Sequence, residues 1–151
     1  MGVGTVFGIY HVIALALFAA FALFDFALHA DPAPADPGVV ERHLAAVRER
    51  VTVVPYVPEN QYPHSFTHIF GGGYAAGYYS YKWAEVLSAD VYSLFEETGV
   101  LNPDTGKRFL TEILGVGGSR PALESFVAFR GREPRIDALL RHTGMVEDAP
   151  A

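Results

Sequence analysis

A long uncharged run at the N-terminus constrains the fold of this chain more than any other feature. The 23 residues from Gly2 to Phe24, GVGTVFGIYHVIALALFAAFALF, contain no Lys, Arg, Asp or Glu. An α-helix needs roughly 20 apolar residues to cross a bilayer, and a helix apolar on every side is either buried in protein or crosses a membrane. No Lys or Arg precedes the run, as one would in a signal peptide. The sequence predicts an apolar helix over 1–29 and leaves core helix or membrane span open.

The composition excludes several kinds of partner and site. A length of 151 residues suits one domain with a real core. The formal net charge of −6 disfavours a nucleic-acid partner, which prefers a basic face. Because the chain has no cysteine, disulfides and thiolate metal sites are excluded, and the cytoplasm is a compatible location.

A proline-rich linker, 30–38, is predicted to separate the apolar helix from an amphipathic one. The sequence ADPAPADPG cannot continue a helix, and Asp36 and Pro37 suit the N-cap and first helical positions. Apolar residues then recur at helical spacing, which predicts one buried helix face. These residues are Val40, Leu44, Val47 and Val51.

The remaining chain reads as mainly α, with a helical region over 39–145 and a disordered tail over 146–151. The segment 54–64 carries three prolines and is predicted to be an extended loop, and SFTHIF, 65–70, to be a short strand or a helical turn. A long helix is expected from Ala75 to about Glu97, ending at Gly99. Three short helices are predicted to follow. The first covers about 103–114, the second begins near Pro121, and the third runs from Pro134 to Gly144. The second carries Leu123, Phe126 and Val127 on one face.

The stretch GGGYAAGYYSYKW, 71–83, places four tyrosines directly after three glycines. On a helix, Tyr74, Tyr78 and Tyr81 share one face, and Tyr79 and Trp83 lie on a neighbouring face. Both faces could be core stripes. Three buried hydroxyls on one face would all need hydrogen-bond partners, however. We therefore assign the Trp83 face to packing and the Tyr74 face to a solvated groove.

Two weaker motifs in the same region are set aside. Gly71, Gly73 and Ala76 match G-x-G-x-x-A, but no second strand follows to complete a dinucleotide-binding unit. His64 and His68 are four residues apart and could share a helix face as metal ligands. No third ligand is evident and H-E-x-x-H is absent, so a hydrogen-bonding or substrate-facing His68 is favoured over a metal site.

Three longer segments together resemble a known family. They are ALFDFALHAD (22–31), SFTHIFGGGYAAGYYSYKWAEVLSADVYSLFEETG (65–99) and GKRFLTEILGVGGSRPALESFVAFRGREPRIDALLRHTGM (106–145). They resemble the C-terminal region of the oligopeptidase A and thimet oligopeptidase family of zinc metallopeptidases. The resemblance covers roughly Ala22 to Met145.

The resemblance implies a fold and a set of roles. The fold would be the C-terminal helical portion of a large, two-lobed, mainly α zinc metallopeptidase whose channel admits short peptides. Tyr74 and Tyr81 would stabilise the oxyanion of the tetrahedral intermediate, as hydrogen-bond donors do in acyl transfer. The substrate would be contacted by His68, Gly71, Gly72, Gly73 and Tyr78.

The sequence also departs from the family. The family's zinc is held by H-E-x-x-H and a downstream glutamate, and neither is found here. We therefore expect a C-terminal piece of a cytoplasmic peptidase that binds no zinc itself and is inactive alone. Its partners would be short peptides and the missing N-terminal portion, with no nucleic acid. The alternatives are a non-catalytic helical module anchored in a membrane by residues 2–24, and a subunit that completes a split peptidase.

Overall fold

All regular elements in the part of the chain that the structure describes are helical, which confirms the predicted mainly α class. The structure is a computed structural model that describes residues 3–32, 36–57 and 59–146, with the backbone alone for residues 3–8. The predicted tail therefore lies, except for Val146, outside the described residues. The main helices are α1 (Val3–Ala30), α2 (Val39–Val51), α3 (Thr67–Phe70), α4 (Ser80–Thr98), α5 (Pro103–Phe109), α6 (Ala122–Arg130) and α7 (Asp137–His142).

The chain divides into two compact units, Met1–Tyr81 and Lys82–Ala151. Short helical turns complement the main helices of both units. A 3-10 turn covers Tyr62–Ser65 in the first unit; in the second, a π-helical turn covers Leu110–Leu114 and a 3-10 turn covers Gly117–Ser119.

Helix α1 confirms the apolar helix predicted at the N-terminus. By length and composition alone, its segment Ile9–Ala30 could cross a membrane. The side chains of Ile9, Tyr10 and Val12 are exposed, whereas Ala20 and Phe24 near the other end are buried. The C-terminal half of α1 therefore contributes to the core of the first unit.

That core is formed by α1, α2 and the segment around α3. Phe24 is 0% exposed and lies in one cluster with Leu44 and Val47 of α2, so the apolar face predicted for α2 is confirmed. Burying a side chain of this size stabilises the fold by about 1.5–3 kcal/mol. The N-cap of α2 is Gly38 rather than Asp36, whose carboxylate instead accepts the Gly38 amide at 2.8 Å.

The second unit has an aromatic core centred on Phe129. This ring is fully buried and lies 6.2 Å from the ring of Phe95 and 5.6 Å from that of Phe109. Helix α6 turns Phe126 and Phe129 inward, while Leu123 and Val127 stay 51% and 38% exposed. Of the three residues predicted to share one face of α6, only Phe126 is buried, and Phe129, three positions later, completes the buried stripe.

Two helices end just before a glycine, as predicted. Gly99 after α4 and Gly144 after α7 have φ values of +100° and +67°. Only glycine adopts this left-handed region without strain from a Cβ atom, which is why it terminates helices so often.

Candidate active site

A glycine turn follows α3 and reverses the chain over His68. The amides of Gly71 and Gly72 both donate to the carbonyl oxygen of Thr67, at 2.8 and 2.7 Å, and Tyr74 donates its amide to the carbonyl of His68 at 3.1 Å. A Cβ atom on Gly72 would lie 3.0 Å from the His68 backbone, and Gly73 has a φ of +80°. The turn therefore requires glycine, and SFTHIF forms a helical turn rather than a strand.

Residues 75–79 form turns, and the helix predicted to start at Ala75 starts at Ser80. The physical reason is the backbone of Ala76, whose φ of +52° is the only positive value among the described non-glycine residues. A left-handed residue cannot continue a right-handed helix. Tyr74, Tyr78 and Tyr81 therefore do not share a face of one helix, contrary to the helical prediction.

The turn nevertheless brings these three tyrosines together, and we call Tyr74, Tyr78 and Tyr81 the tyrosine cluster. The rings of Tyr74 and Tyr81 are stacked, with centroids 5.1 Å apart and planes 25° apart. The rings of Tyr78 and Tyr81 are 5.5 Å apart. His68 lies beside all three, at ring distances of 6.0 Å to Tyr74, 5.7 Å to Tyr78 and 6.2 Å to Tyr81.

The members of the tyrosine cluster differ in exposure. Tyr74 and Tyr81 are 36% and 38% exposed, so both rings reach solvent. Tyr78 is half-buried, and its ring stacks on Phe18 at 5.0 Å and meets Phe66 edge-on at 4.9 Å. Burial raises the pKa of the Tyr78 phenol. Tyr78 therefore supports the cluster from the core side, while Tyr74 and Tyr81 face outward.

The hydroxyls of Tyr74 and Tyr81 interact directly. A hydrogen bond with Tyr74, followed by partial desolvation, raises the pKa of the Tyr81 phenol. A raised pKa means that Tyr81 keeps its proton up to a higher pH than a free tyrosine does. The Tyr81 phenol therefore carries its proton at neutral pH.

The packing role predicted for Trp83 was wrong. Trp83 is 70% exposed, and Tyr79 is 48% exposed with its ring stacked on Phe26 at 5.2 Å. The shift of the helix start from Ala75 to Ser80 changes which side chains turn inward, so the inward aromatic is Tyr78.

The two candidate metal ligands, His64 and His68, lie in different elements, the 3-10 turn Tyr62–Ser65 and α3. Their spacing therefore does not correspond to one helix face. Within the described ranges, no group of three or more His, Cys, Asp or Glu side chains is placed to hold a metal ion. The residues described here do not fit a zinc site.

Sequence reasoning missed one residue that contacts this site, Asp25 of α1. Its carboxylate is fully buried and accepts the backbone amides of Ala76 and Tyr78. The available signal was that Asp25 is the first charged residue after the uncharged run. A charge at the edge of an apolar helix is rarely buried without specific partners.

The amino-acid sequence of this chain matches a family of peptidases. The family model "Peptidase family M3" matches residues 11–145, and the chain belongs to this family. It is 56% identical over 126 residues to oligopeptidase A of Haemophilus influenzae, and 51% identical over 125 residues to oligopeptidase A of Escherichia coli. It is 47% identical over 130 residues to the probable cytosolic oligopeptidase A of Arabidopsis thaliana.

Each of these alignments covers 83% of this chain and 18% of the relative. The chain therefore spans less than a fifth of the length of the relatives it matches. The relation to oligopeptidase A and the hydrolase, protease and metallopeptidase character of the family confirm the resemblance found in the sequence.

Proposed function

We propose that this chain forms the substrate-binding and oxyanion-stabilising side of a zinc metalloendopeptidase site that hydrolyses short peptides. Membership of a peptidase family supports the reaction class. The observation that carries the assignment is the stacked pair of Tyr74 and Tyr81 beside His68, with both tyrosine rings exposed. Buried aromatic rings would indicate packing; these two present phenols to solvent instead.

Tyr74 and Tyr81 act as the oxyanion donors. Attack of water on a peptide carbonyl places negative charge on the carbonyl oxygen, and donors held in place before the reaction stabilise that charge. Since the Tyr81 phenol is hydrogen-bonded to Tyr74 and its pKa is raised, it is protonated at neutral pH and can donate. Each phenol has one donor hydrogen, so the hydrogen bond between the two phenols breaks when both donate to the oxyanion.

His68, the glycine turn and Tyr78 form the substrate-binding surface. Gly73 has nothing within 4 Å of the position where a Cβ atom would lie, so a peptide backbone can approach this turn closely. Gly71 and Gly72 hold the turn against Thr67, and His68 is exposed beside it. Tyr78 backs the surface through its contacts with the core.

The zinc and the general base are proposed to come from residues outside this sequence. The 151 residues contain no H-E-x-x-H, and the described part offers no fitting ligand set. We therefore expect the purified chain to bind no zinc tightly and to cleave no peptide by itself. The zinc-bearing N-terminal portion of the peptidase is its functional partner, and the cytoplasm is the compartment in which both act.

Complementation tests the proposal. The chain is mixed with a zinc-bearing remainder of oligopeptidase A from which the matching region has been removed, and turnover of a short quenched peptide is followed. We expect activity only in the mixture, reduced about 10²–10³-fold in kcat by Tyr81→Phe. Tyr56→Phe, at an exposed tyrosine stacked under Arg48, is the matched control and leaves activity unchanged.

Two outcomes would contradict the proposal. Zinc-dependent turnover by the chain alone would contradict the absence of a complete site. Full activity of the Tyr81→Phe mixture would contradict the oxyanion role. Recovery of the chain in a carbonate-resistant membrane fraction would favour the membrane-anchored alternative over a cytoplasmic one.

A further inference from the structure

Asp25 is the most deeply placed acidic side chain of the first unit. It lies near the C-terminal end of α1 and is 0% exposed. Burying a carboxylate costs a large free energy of desolvation unless hydrogen bonds and opposite charge compensate for the lost hydration. The hydrogen-bond partners of the Asp25 carboxylate therefore indicate its structural role.

Both oxygens of the Asp25 carboxylate are used, and they hold a distant part of the chain. Oδ1 accepts the backbone amide of Ala76 at 2.8 Å, and Oδ2 accepts that of Tyr78 at 2.9 Å. These partners are 51 and 53 residues away in sequence. The ring Nδ1 of His29 lies 2.8 Å from Oδ1 and is also hydrogen-bonded to the backbone carbonyl oxygen of Asp25, at 2.8 Å.

The two amides would lack an acceptor even in a helix beginning at Ala75, because the first four N–H groups of a helix have no partner within it. Here Asp25 accepts both amides, and Ala76 takes a φ of +52°. Alanine adopts this region at a cost of about 1–2 kcal/mol, so an outside partner is needed to hold it there.

We propose that Asp25 is the positioning residue of the tyrosine cluster. Its carboxylate acts through the backbone amides of Ala76 and Tyr78. By fixing these two amides, it directs the Tyr78 ring into the core and delays the start of α4 to Ser80, so that Tyr81 meets Tyr74. Without Asp25, the segment has no acceptor for two amides and no support for the left-handed residue.

This inference rests on the proposed function for its significance, but its geometry can be tested without any peptidase assay. In the wild-type chain, NMR scalar couplings across hydrogen bonds are measured from the amide nitrogens of Ala76 and Tyr78 to the Asp25 carboxylate carbon. We expect both couplings, and ring-to-ring nuclear Overhauser effects between Tyr74 and Tyr81. Absence of both couplings in the folded chain overturns the proposal, and no variant is needed to reach that result.

Variants then test whether these bonds position the tyrosines. Asp25→Asn keeps one carbonyl acceptor but places a donor against the second amide, and Asp25→Ala removes both acceptors. We expect hydrogen-exchange protection at Ala76 and Tyr78 to fall about tenfold for each bond lost. The Tyr74–Tyr81 ring contacts should weaken in Asp25→Asn and weaken further in Asp25→Ala.

The matched control is Asp31→Asn, just after α1. Its carboxylate lies 2.9 Å from Nε2 of His43 on α2, so it links α1 to a different element. This variant should retain full protection at Ala76 and Tyr78 and the Tyr74–Tyr81 contacts, even if α2 loosens. Wild-type protection and ring contacts in Asp25→Asn, or equal losses in Asp31→Asn, overturn the positioning role.

The two proposals fail in different ways. If the Asp25 bonds are present but complementation yields no peptidase activity, the proposed function is wrong and the positioning of the cluster stands. If complementation succeeds and depends on Tyr81 while the Asp25 bonds are absent, the function stands and this inference is wrong. If both hold, Asp25→Asn should lower kcat of the mixture more than it changes KM, since the oxyanion donors act in the transition state.

Discussion

Substitution of Asp90 by asparagine should destabilise the second unit in a pH-dependent way. Asp90 lies on α4 and is only 1% exposed. Its carboxylate accepts two hydrogen bonds from the Arg132 guanidinium, at 2.6 and 2.7 Å, and one from the Arg135 amide at 2.7 Å. It therefore fixes the loop after α6 to α4 by charge-assisted bonds.

The size of the effect follows from the pKa of this carboxylate. Burial opposes its ionisation, but the hydrogen bonds from Arg132 and from the Arg135 amide outweigh it and lower the pKa of Asp90 from 3.8 to about 2. The difference between these two values corresponds to about 2 kcal/mol of stability at neutral pH. Asp90→Asn keeps the size of the side chain and removes this contribution.

The sign of the pH dependence is determined by the direction of the pKa change. A group whose pKa is lowered in the folded state stabilises the protein fully above its unfolded pKa of 3.8. The contribution is lost as the pH falls from about 4 towards 2, because the folded carboxylate becomes protonated. The stability difference between wild type and Asp90→Asn should therefore shrink over this interval.

Urea unfolding followed by circular dichroism at pH 7 and at steps from pH 5 to 2.5 measures this difference. Glu85→Gln is the matched control, because its ion pair with Lys82 is surface-exposed and should contribute no more than about 1 kcal/mol. A loss below 0.5 kcal/mol at pH 7, on the order of an ordinary surface change, would refute the reasoning. So would a loss of full size that does not vary with pH.

Three further substitutions follow from packing and backbone geometry, all measured by urea unfolding. Phe24→Ala, at a fully buried ring, should cost about 3–5 kcal/mol, whereas Val53→Ala at an exposed side chain should cost little. Gly72→Ala would place a Cβ atom 3.0 Å from the His68 backbone and should cost about 1–3 kcal/mol, while Gly106→Ala, which meets nothing within 4 Å, should not destabilise. Ala76→Gly should stabilise by about 0.5–1 kcal/mol because it relieves a φ of +52°; a loss of stability would contradict the strain assigned there.

Much of the fold could be predicted because its causes are local. The uncharged run predicted α1, the apolar spacing at Leu44 and Val47 predicted the buried face of α2, and Gly99 and Gly144 marked helix ends. Each of these signals depends on residues within a few turns of one another, where periodicity and backbone freedom decide the structure. The family followed from the same residues, since three segments together are more specific than any single motif.

The arrangement of the candidate site could be predicted only in part. His68, the glycines and the tyrosines were named from the sequence, but helical spacing placed Tyr78 in a groove and Trp83 in the core. In the structure, Tyr78 packs on Phe18 and Trp83 is 70% exposed. An unbroken helix from Ala75 was the best local prediction, because nothing in residues 74–79 alone requires a left-handed alanine.

The residues of the chain by themselves determined its helical class, its apolar N-terminal helix and its family. Only the tertiary structure decided how the tyrosines face one another. The physical reason is that the hydrogen-bond acceptors for residues 76 and 78 are supplied by Asp25, more than fifty residues earlier. A local sequence pattern carries no information about a hydrogen-bond acceptor that only folding brings near. Here that acceptor sets both the start of α4 and the contact between Tyr74 and Tyr81.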